Sequence, residues 1–211
     1  RQLQIKTTNL YDESGKVSRM VGSIEDITDM ENDMLKLQKE ARTDLLTGAM
    51  NRAAGTSAIN RMLVQELHPG CVNTFAIVDL DNFKTLNDVM GHMWGDRALC
   101  EVVLIMKKHC RAQDIVCRLG GDEFVVFLPD MIREAAEESL RVLSAKLHID
   151  YVKENLEVMI SASMGIVFSD GRDITFQDLY EEADGCLYQV KRTFKGSCLL
   201  YTSPSPRDPK T

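Results

Sequence analysis

Gly120-Gly121-Asp122-Glu123-Phe124 stands between two apolar runs, Ile115-Val116-Cys117-Arg118-Leu119 and Phe124-Val125-Val126-Phe127-Leu128. Paired glycines between short β-branched and aromatic runs predict a β-hairpin. Glycines accept φ > 0 and carry no side chain, so a bulky anionic ligand can approach the backbone of this turn. Two carboxylates stand beside it, and carboxylates and a phosphate repel each other unless a divalent cation lies between them. A hairpin with a solvated acidic tip has the same five letters, and spacing alone leaves both readings open.

Working upstream, Thr74 to Leu80 is a continuous apolar run, the pattern of a strand buried on both faces. It ends in Asp79-Leu80-Asp81, which puts a carboxylate at a strand terminus. Asn82-Phe83-Lys84-Thr85-Leu86-Asn87-Asp88 follows, then Gly91-His92 and Gly95-Asp96. A helix comes next, with Leu99, Val102, Val103, Met106 and Cys110 on one face. Downstream of the hairpin, Ala136, Leu140, Leu143 and Leu147 mark a helix, and Ile160, Ala162, Met164, Ile166 and Phe168 alternate as a strand. A last helix runs from about Thr175 to Thr193. Interleaved strands and helices with both a crossover and a hairpin give an α/β class, a mixed central sheet flanked by helices.

Residues 1–28 read as a separate hairpin turning at Asp12-Glu13-Ser14-Gly15-Lys16. From Asp29 to Arg42 the pattern turns helical, with Met30, Met34, Leu37 and Ala41 on one seam. That seam fits a dimeric coiled coil or a helix packed on its own domain. Asp44-Leu45-Leu46-Thr47-Gly48-Ala49-Met50-Asn51-Arg52 breaks this helix and starts another, expected to run to about Leu67.

The chain of 211 residues is 44% apolar and 27% charged, enough for one full domain and part of another. A formal charge of −7 argues against nucleic acid as the main partner, because a phosphate backbone calls for a basic face. The six cysteines include no Cys-x-x-Cys pair, which favours reduced thiols in a cytoplasmic protein over disulfides or zinc. No run approaches the ~18 apolar residues of a membrane helix, so this segment makes no direct membrane contact. A chain that begins at Arg1 rather than Met reads as a piece of a longer protein, in which an upstream part could hold a membrane anchor.

The hairpin letters, together with Asp79-Leu80-Asp81-Asn82-Phe83-Lys84, Asn87, Gly91-His92, Gly95-Asp96 and the motif at Asp44–Arg52, resemble the GGDEF family of diguanylate cyclases over residues 44–197. The resemblance implies a nucleotidyl-cyclase-like palm. It also implies a reaction in which two GTP molecules, one on each protomer of a homodimer, condense to cyclic di-GMP and two pyrophosphates. It assigns the metal site, Mg²⁺ or Mn²⁺, to Asp79, the Leu80 carbonyl and Asp122. Asp122 becomes the base for the ribose 3′-hydroxyl, with Glu123 in support. Asn87 and Asp96 would read guanine, with His92 lining the site; as bare residues, Asn87 and Asp96 fit helix caps equally well. Phosphates would meet Lys84, the Asn82-Phe83 backbone, Lys191 and Lys195, although Phe194 departs from the family's glycine just before Lys195. Arg111-Ala112-Gln113-Asp114 sits at the spacing of the family's product-inhibition site, and is also an ordinary i,i+3 ion pair.

Residues 1–28 resemble the last strands of a PAS sensory domain, and 29–43 would then be a signalling linker. Residues 198–211, with Ser203-Pro204-Ser205-Pro206, resemble a translated sequencing adapter more than native chain, and the family's last strand is expected to be missing or replaced; a natural Pro/Ser tail is the alternative. A catalytically silent module sensing GTP or cyclic di-GMP is the other function compatible with these residues. Retention of Asp79, Lys84, Asn87, Asp96 and Asp122 weighs against silence.

Overall fold

The computed structural model describes residues 1, 3–11, 13, 15–29, 41–170, 174–193 and 200–202. The chain divides into two units, Arg1–Arg42 and Thr43–Thr211. In the first, β1 (Leu3–Tyr11) and β2 (Val17–Asp26) pair antiparallel with Ile5 opposite Ile24, as the turn residues predict. The seam positions Met30, Met34 and Leu37 lie outside the described residues.

The second unit holds β3 (Met50–Asn51), β4 (Cys71–Asp81), β5 (Ile115–Gly120), β6 (Glu123–Ile132), β7 (Ile149–Lys153), β8 (Leu156–Ser169) and β9 (Leu200–Thr202). Its helices are α1 (Arg52–Leu63), α2 (Phe83–Met90), α3 (His92–His109), α4 (Arg133–Lys146) and α5 (Phe176–Thr193). The sheet order is β3-β5-β6-β4-β8-β7, with β9 also against β8. The β3–β5 and β8–β9 pairs are parallel and the others antiparallel, so the sheet is mixed as expected.

β4 is central because it is buried on both faces. Successive strand side chains point to opposite sides. Ala76, Val78 and Leu80 therefore enter one core with Leu99, Val102 and Met106 of α3 and Leu140 and Leu143 of α4. Phe75 and Ile77 enter the other with Ile59 and Leu63 of α1 and Leu179 and Ala183 of α5. Each large side chain so buried contributes about 1.5–3 kcal/mol. The same alternation sends Asp79 and Asp81 out on the α5 side, just where the apolar run ends. Helix α5 lies close on β8, since a Cβ at Gly165 would stand 2.1 Å from the Ala183 carbonyl oxygen.

Several elements depart from the sequence reading. Helix α1 ends at Leu63 rather than near Leu67, because Val64 is 81% exposed and the chain then turns through Pro69-Gly70. The run after β4 is a helix of its own, α2, cut from α3 at Gly91, whose φ is +93°. β3 is too short to carry a pattern. β7 turns only Tyr151 fully inward. Leu200–Thr202, from the stretch read as a foreign tail, runs parallel to β8 beside Met164–Ile166. Among the described cysteines, no disulfide joins Cys71, Cys100, Cys110 or Cys117, and burial pushes the Cys110 and Cys117 thiols up to about 12.

Candidate functional site

The antiparallel register of β4 and β6 sets Asp79 opposite Glu123, and the Leu80 amide donates to the Asp122 carbonyl at 3.3 Å. The turn between β5 and β6 needs its glycines, with Gly121 at φ +53°. Asp79 and Asp122 thus end on adjoining strands, at one cleft of about 540 Å³. Asp79, Leu80, Asp81, Asn82, Phe83, Lys84, Thr85, Asp122 and Lys191 line it.

Lys191, in the last turn of α5, brings its Nζ to 2.6 Å from Asp79 Oδ1. Burial raises the Asp79 carboxyl above the ordinary carboxylate range; Lys191 pulls it back, and the charges of Asp122 and Asp81 push it up again. Among the described residues no three His, Cys, Asp or Glu side chains converge on a point. The oxygen donors on the cleft wall include the carboxylates of Asp79, Asp81 and Asp122 and the backbone of Leu80. These are hard oxygens of the kind that bind Mg²⁺, which fills its other positions with waters and phosphates. The residues present therefore fit such an ion.

Asp81 was not singled out by sequence reading, yet it is firmly held. Ser163 Oγ donates to Asp81 Oδ1 at 2.9 Å and Oδ2 at 2.8 Å, and Ser161 Oγ to Oδ2 at 3.2 Å. Both serines are buried on β8, directly across the ladder from Asp79 and Asp81. The signal was available as matching period-2 pairs, Asp79/Asp81 and Ser161/Ser163. Asn82 then takes a left-handed conformation, φ 63°, which asparagine adopts more readily than most residues. Its Nδ2 donates to the Met159 carbonyl, so its side chain does not cap α2. The first amides of α2 lie on the cleft wall with the helix dipole behind them, a ready anion site beside Lys84.

Arg118 also escaped the sequence reading. Its Nε and Nη2 donate to the Gly121 carbonyl at 3.1 and 2.8 Å, and its Nη1 reaches both Asp44 oxygens. Asp44 in turn accepts from the Thr47 amide and hydroxyl. The motif at Asp44–Arg52 is thereby tied to the glycine turn.

The remaining expected residues lie around the cleft rather than on its wall. Asn87 is half-buried in α2 with its side chain packed on Gly95, where a Cβ would stand 2.1 Å from Asn87 Oδ1. His92 and Asp96 are exposed in the first turns of α3. Neither Asn87 nor Asp96 is a helix cap, since Asn82 and Gly91 hold those positions. Glu123 lines an adjoining hollow of about 400 Å³ with Asp184, Gly185, Tyr188 and the far side of Asp79 and Lys191. Arg111 and Asp114 form the i,i+3 pair. The Asp114 side chain is 2% exposed and accepts from the Arg111 amide, Nε and Nη2, while Nη2 also donates to the Pro129 carbonyl. A separate cleft of about 360 Å³ is bounded by this pair, Lys107 and Gly48. Phe194 and Lys195 lie outside the described residues.

A family model described as the diguanylate cyclase GGDEF domain matches residues 41–197, and the chain belongs to this family. The diguanylate cyclase DgcP of Pseudomonas aeruginosa is 35% identical over 158 residues, 74% of this chain and 23% of that protein. The response regulator PleD of Caulobacter vibrioides is 34% identical over 156 residues, 72% of this chain and 34% of that protein. This chain therefore spans between about a quarter and about a third of the length of these two curated relatives. The solved structure of the coiled coil and GGDEF domain of DgcB from Caulobacter crescentus, in complex with c-di-GMP, shares the fold at TM-score 0.75 and 22% identity. That match covers 84% of this chain and 93% of that one. No helix among the described residues is long and apolar enough to cross a membrane.

Proposed function

We propose that the chain condenses two GTP into cyclic di-GMP and two pyrophosphates as a homodimer, each protomer holding one nucleotide. The observation that carries this reading is the cleft itself, where Asp79 and Asp122 face Lys84, Lys191 and the amino end of α2. Lys84, the α2 amides and Lys191 bind the triphosphate. Asn87 and Asp96 take the guanine edge, accepting from N1–H and N2–H₂ through the carboxylate and meeting the ring acceptors through the amide. Asp122 accepts the proton of the ribose 3′-hydroxyl as that oxygen bonds to the partner nucleotide's α-phosphorus and pyrophosphate departs. Glu123 holds the turn's second carboxylate beside it. A Mg²⁺ or Mn²⁺ ion, bound through Asp79, Asp122 and the Leu80 carbonyl, supplies neutralisation of the developing phosphate charge.

Feedback inhibition by a returning product is assigned to Arg111 and Asp114, whose paired side chains bound a cleft that Lys107 also lines. Residues 1–28 are read as the end of a PAS sensory domain and 29–43 as its signalling linker, acting on dimer geometry in the cytoplasm. Residues 198–211, read as an adapter-derived tail, are given no part in the function.

The test removes bound nucleotide, incubates the protein with GTP and MgCl₂, and quantifies cyclic di-GMP by chromatography, with Asp122→Ala in parallel. Product from the parent alone supports the cyclase. GTP binding without product overturns it in favour of a silent sensor.

A further inference from the structure

The ammonium of Lys191 and a divalent cation make competing claims on Asp79. Nζ lies 2.6 Å from Asp79 Oδ1, and the Asp79 side chain is only 13% exposed, so a bare ion must displace a close, half-desolvated partner. Among the described residues, Lys191 is the cation that pairs with Asp79. Asp81 beside it is anionic and already occupied by Ser161 and Ser163, and Asp122 adds a second negative charge. Lys84, the other cation of the wall, is exposed on α2, whereas Lys191 rises from α5 on the same side as Asp79. Lys191 also stands on the border of two spaces, lining both the cleft at Lys84 and the hollow at Glu123, Asp184 and Tyr188. A released Nζ therefore has anionic groups to accept it on either side: a triphosphate in the cleft, or Glu123 and Asp184 in the hollow.

We propose that Lys191 is a two-position cation. Without nucleotide it neutralises Asp79 and keeps divalent ions off the carboxylate pair. With nucleotide it moves to the phosphates and gives Asp79 to the ion that arrives with them. The idea rests on the cation-dependent nucleotide site proposed above, and makes ion and nucleotide binding strongly cooperative in this chain. An ammonium and a divalent ion drawn to one carboxylate repel each other at close range in a half-buried site.

The experiment is Mn²⁺ titration of the nucleotide-free full chain, read by the loss of the free-ion EPR signal. Lys191→Met keeps the length of the side chain and removes the charge; Lys191→Arg keeps the charge. The expected result is Mn²⁺ affinity raised about tenfold or more in Lys191→Met and unchanged in Lys191→Arg. Equal affinity in parent and Lys191→Met overturns the proposal. As a measurement needing no variant, ¹⁵N-lysine NMR of the parent should show a slowly exchanging Lys191 ammonium that shifts when Mg²⁺ and a non-hydrolysable GTP analogue are added together, and not with Mg²⁺ alone. A fast-exchanging ammonium that is indifferent to the analogue is the contrary result. Turnover is not the readout: a protein that makes no cyclic di-GMP can still show the Mn²⁺ effect, and an active one can lack it.

Discussion

Arg118 Nη1 lies 3.0 and 3.1 Å from the two carboxylate oxygens of Asp44, a residue 74 positions earlier, while the rest of the guanidinium grips the Gly121 carbonyl. One planar fork thus fixes the start of the GGDEF unit and the glycine turn together. A lysine cannot make both sets of bonds. Arg118→Lys is expected to cost about 1–3 kcal/mol in urea denaturation and to lower kcat/KM about tenfold. Stability and turnover equal to the parent would mean that the turn holds itself.

Asp44 makes the same clamp pH-dependent. Burial raises its carboxyl, but the Thr47 hydroxyl and amide and then Arg118 outweigh this, and the net position is below the ordinary carboxylate range. Folding therefore lowers this carboxyl's proton affinity. Its stabilisation is full above the unfolded value near 3.8 and is lost as pH falls through the folded value. Asp44→Asn should be less stable than the parent at about pH 7, with the gap closing below about pH 4. Denaturation midpoints across that range check it, and a constant gap would assign the loss to packing.

The serine pair under Asp81 can be removed without touching the cleft wall. Ser161→Ala with Ser163→Ala leaves a half-buried carboxylate without these donors, which is expected to cost about 1–3 kcal/mol. The Asn82 turn next to it loosens as well, so affinity for a non-hydrolysable GTP analogue should fall severalfold in calorimetry. Parent-like affinity and stability would show that Asp81 finds water or Lys84 at no loss.

Gly165 allows α5 to lie on β8. A Cβ there meets the Ala183 carbonyl oxygen at 2.1 Å and the Leu187 nitrogen at 2.7 Å, both backbone atoms that cannot rotate away. Gly165→Ala should cost about 1–3 kcal/mol by overpacking. It should also lift Lys191 from Asp79, which lysine NMR detects. An unshifted melting temperature would contradict so close a contact.

Gly95→Ala is a milder case, since its Cβ would meet the flexible end of Asn87, with Oδ1 at 2.1 Å. The amide must rotate, and stability should hardly change. The preference for GTP over ATP is expected to drop about tenfold, in line with the loss of one good hydrogen-bonded contact. Competition binding of the two nucleotides measures it; an unchanged ratio would remove Asn87 from base recognition.

Much of the GGDEF unit was legible because its signals are local and periodic. The glycine turn, the doubly buried β4 and the one-sided faces of α3, α4 and α5 are set by residues within a few positions of each other. Asp79 and Asp122 stood out because they punctuate those patterns, whereas Lys84 was named through the family resemblance. What escaped depends on pairing at long range. Ser161 and Ser163 look like ordinary core-strand residues until β8 lies beside β4, and Arg118 looks like the exposed position of a hairpin until Asp44 arrives. The length of α1 was overestimated because Val64 continues the apolar count while facing water. Two-residue β3 is held by its neighbour β5 and has no pattern of its own to read.

The adjacency of Asp79 and Asp122 is created by the β4–β6 ladder, whose partners are separated by two helices and β5. Such a contact closes a long loop, and loop-closure entropy delays it until the intervening helices are in place. A form in which this ladder is still open does not hold the two carboxylates together. On the proposed reading, nucleotide capture is accordingly a property acquired late, with the closing of the sheet, and a newly made chain would stay blind to GTP until its architecture is complete.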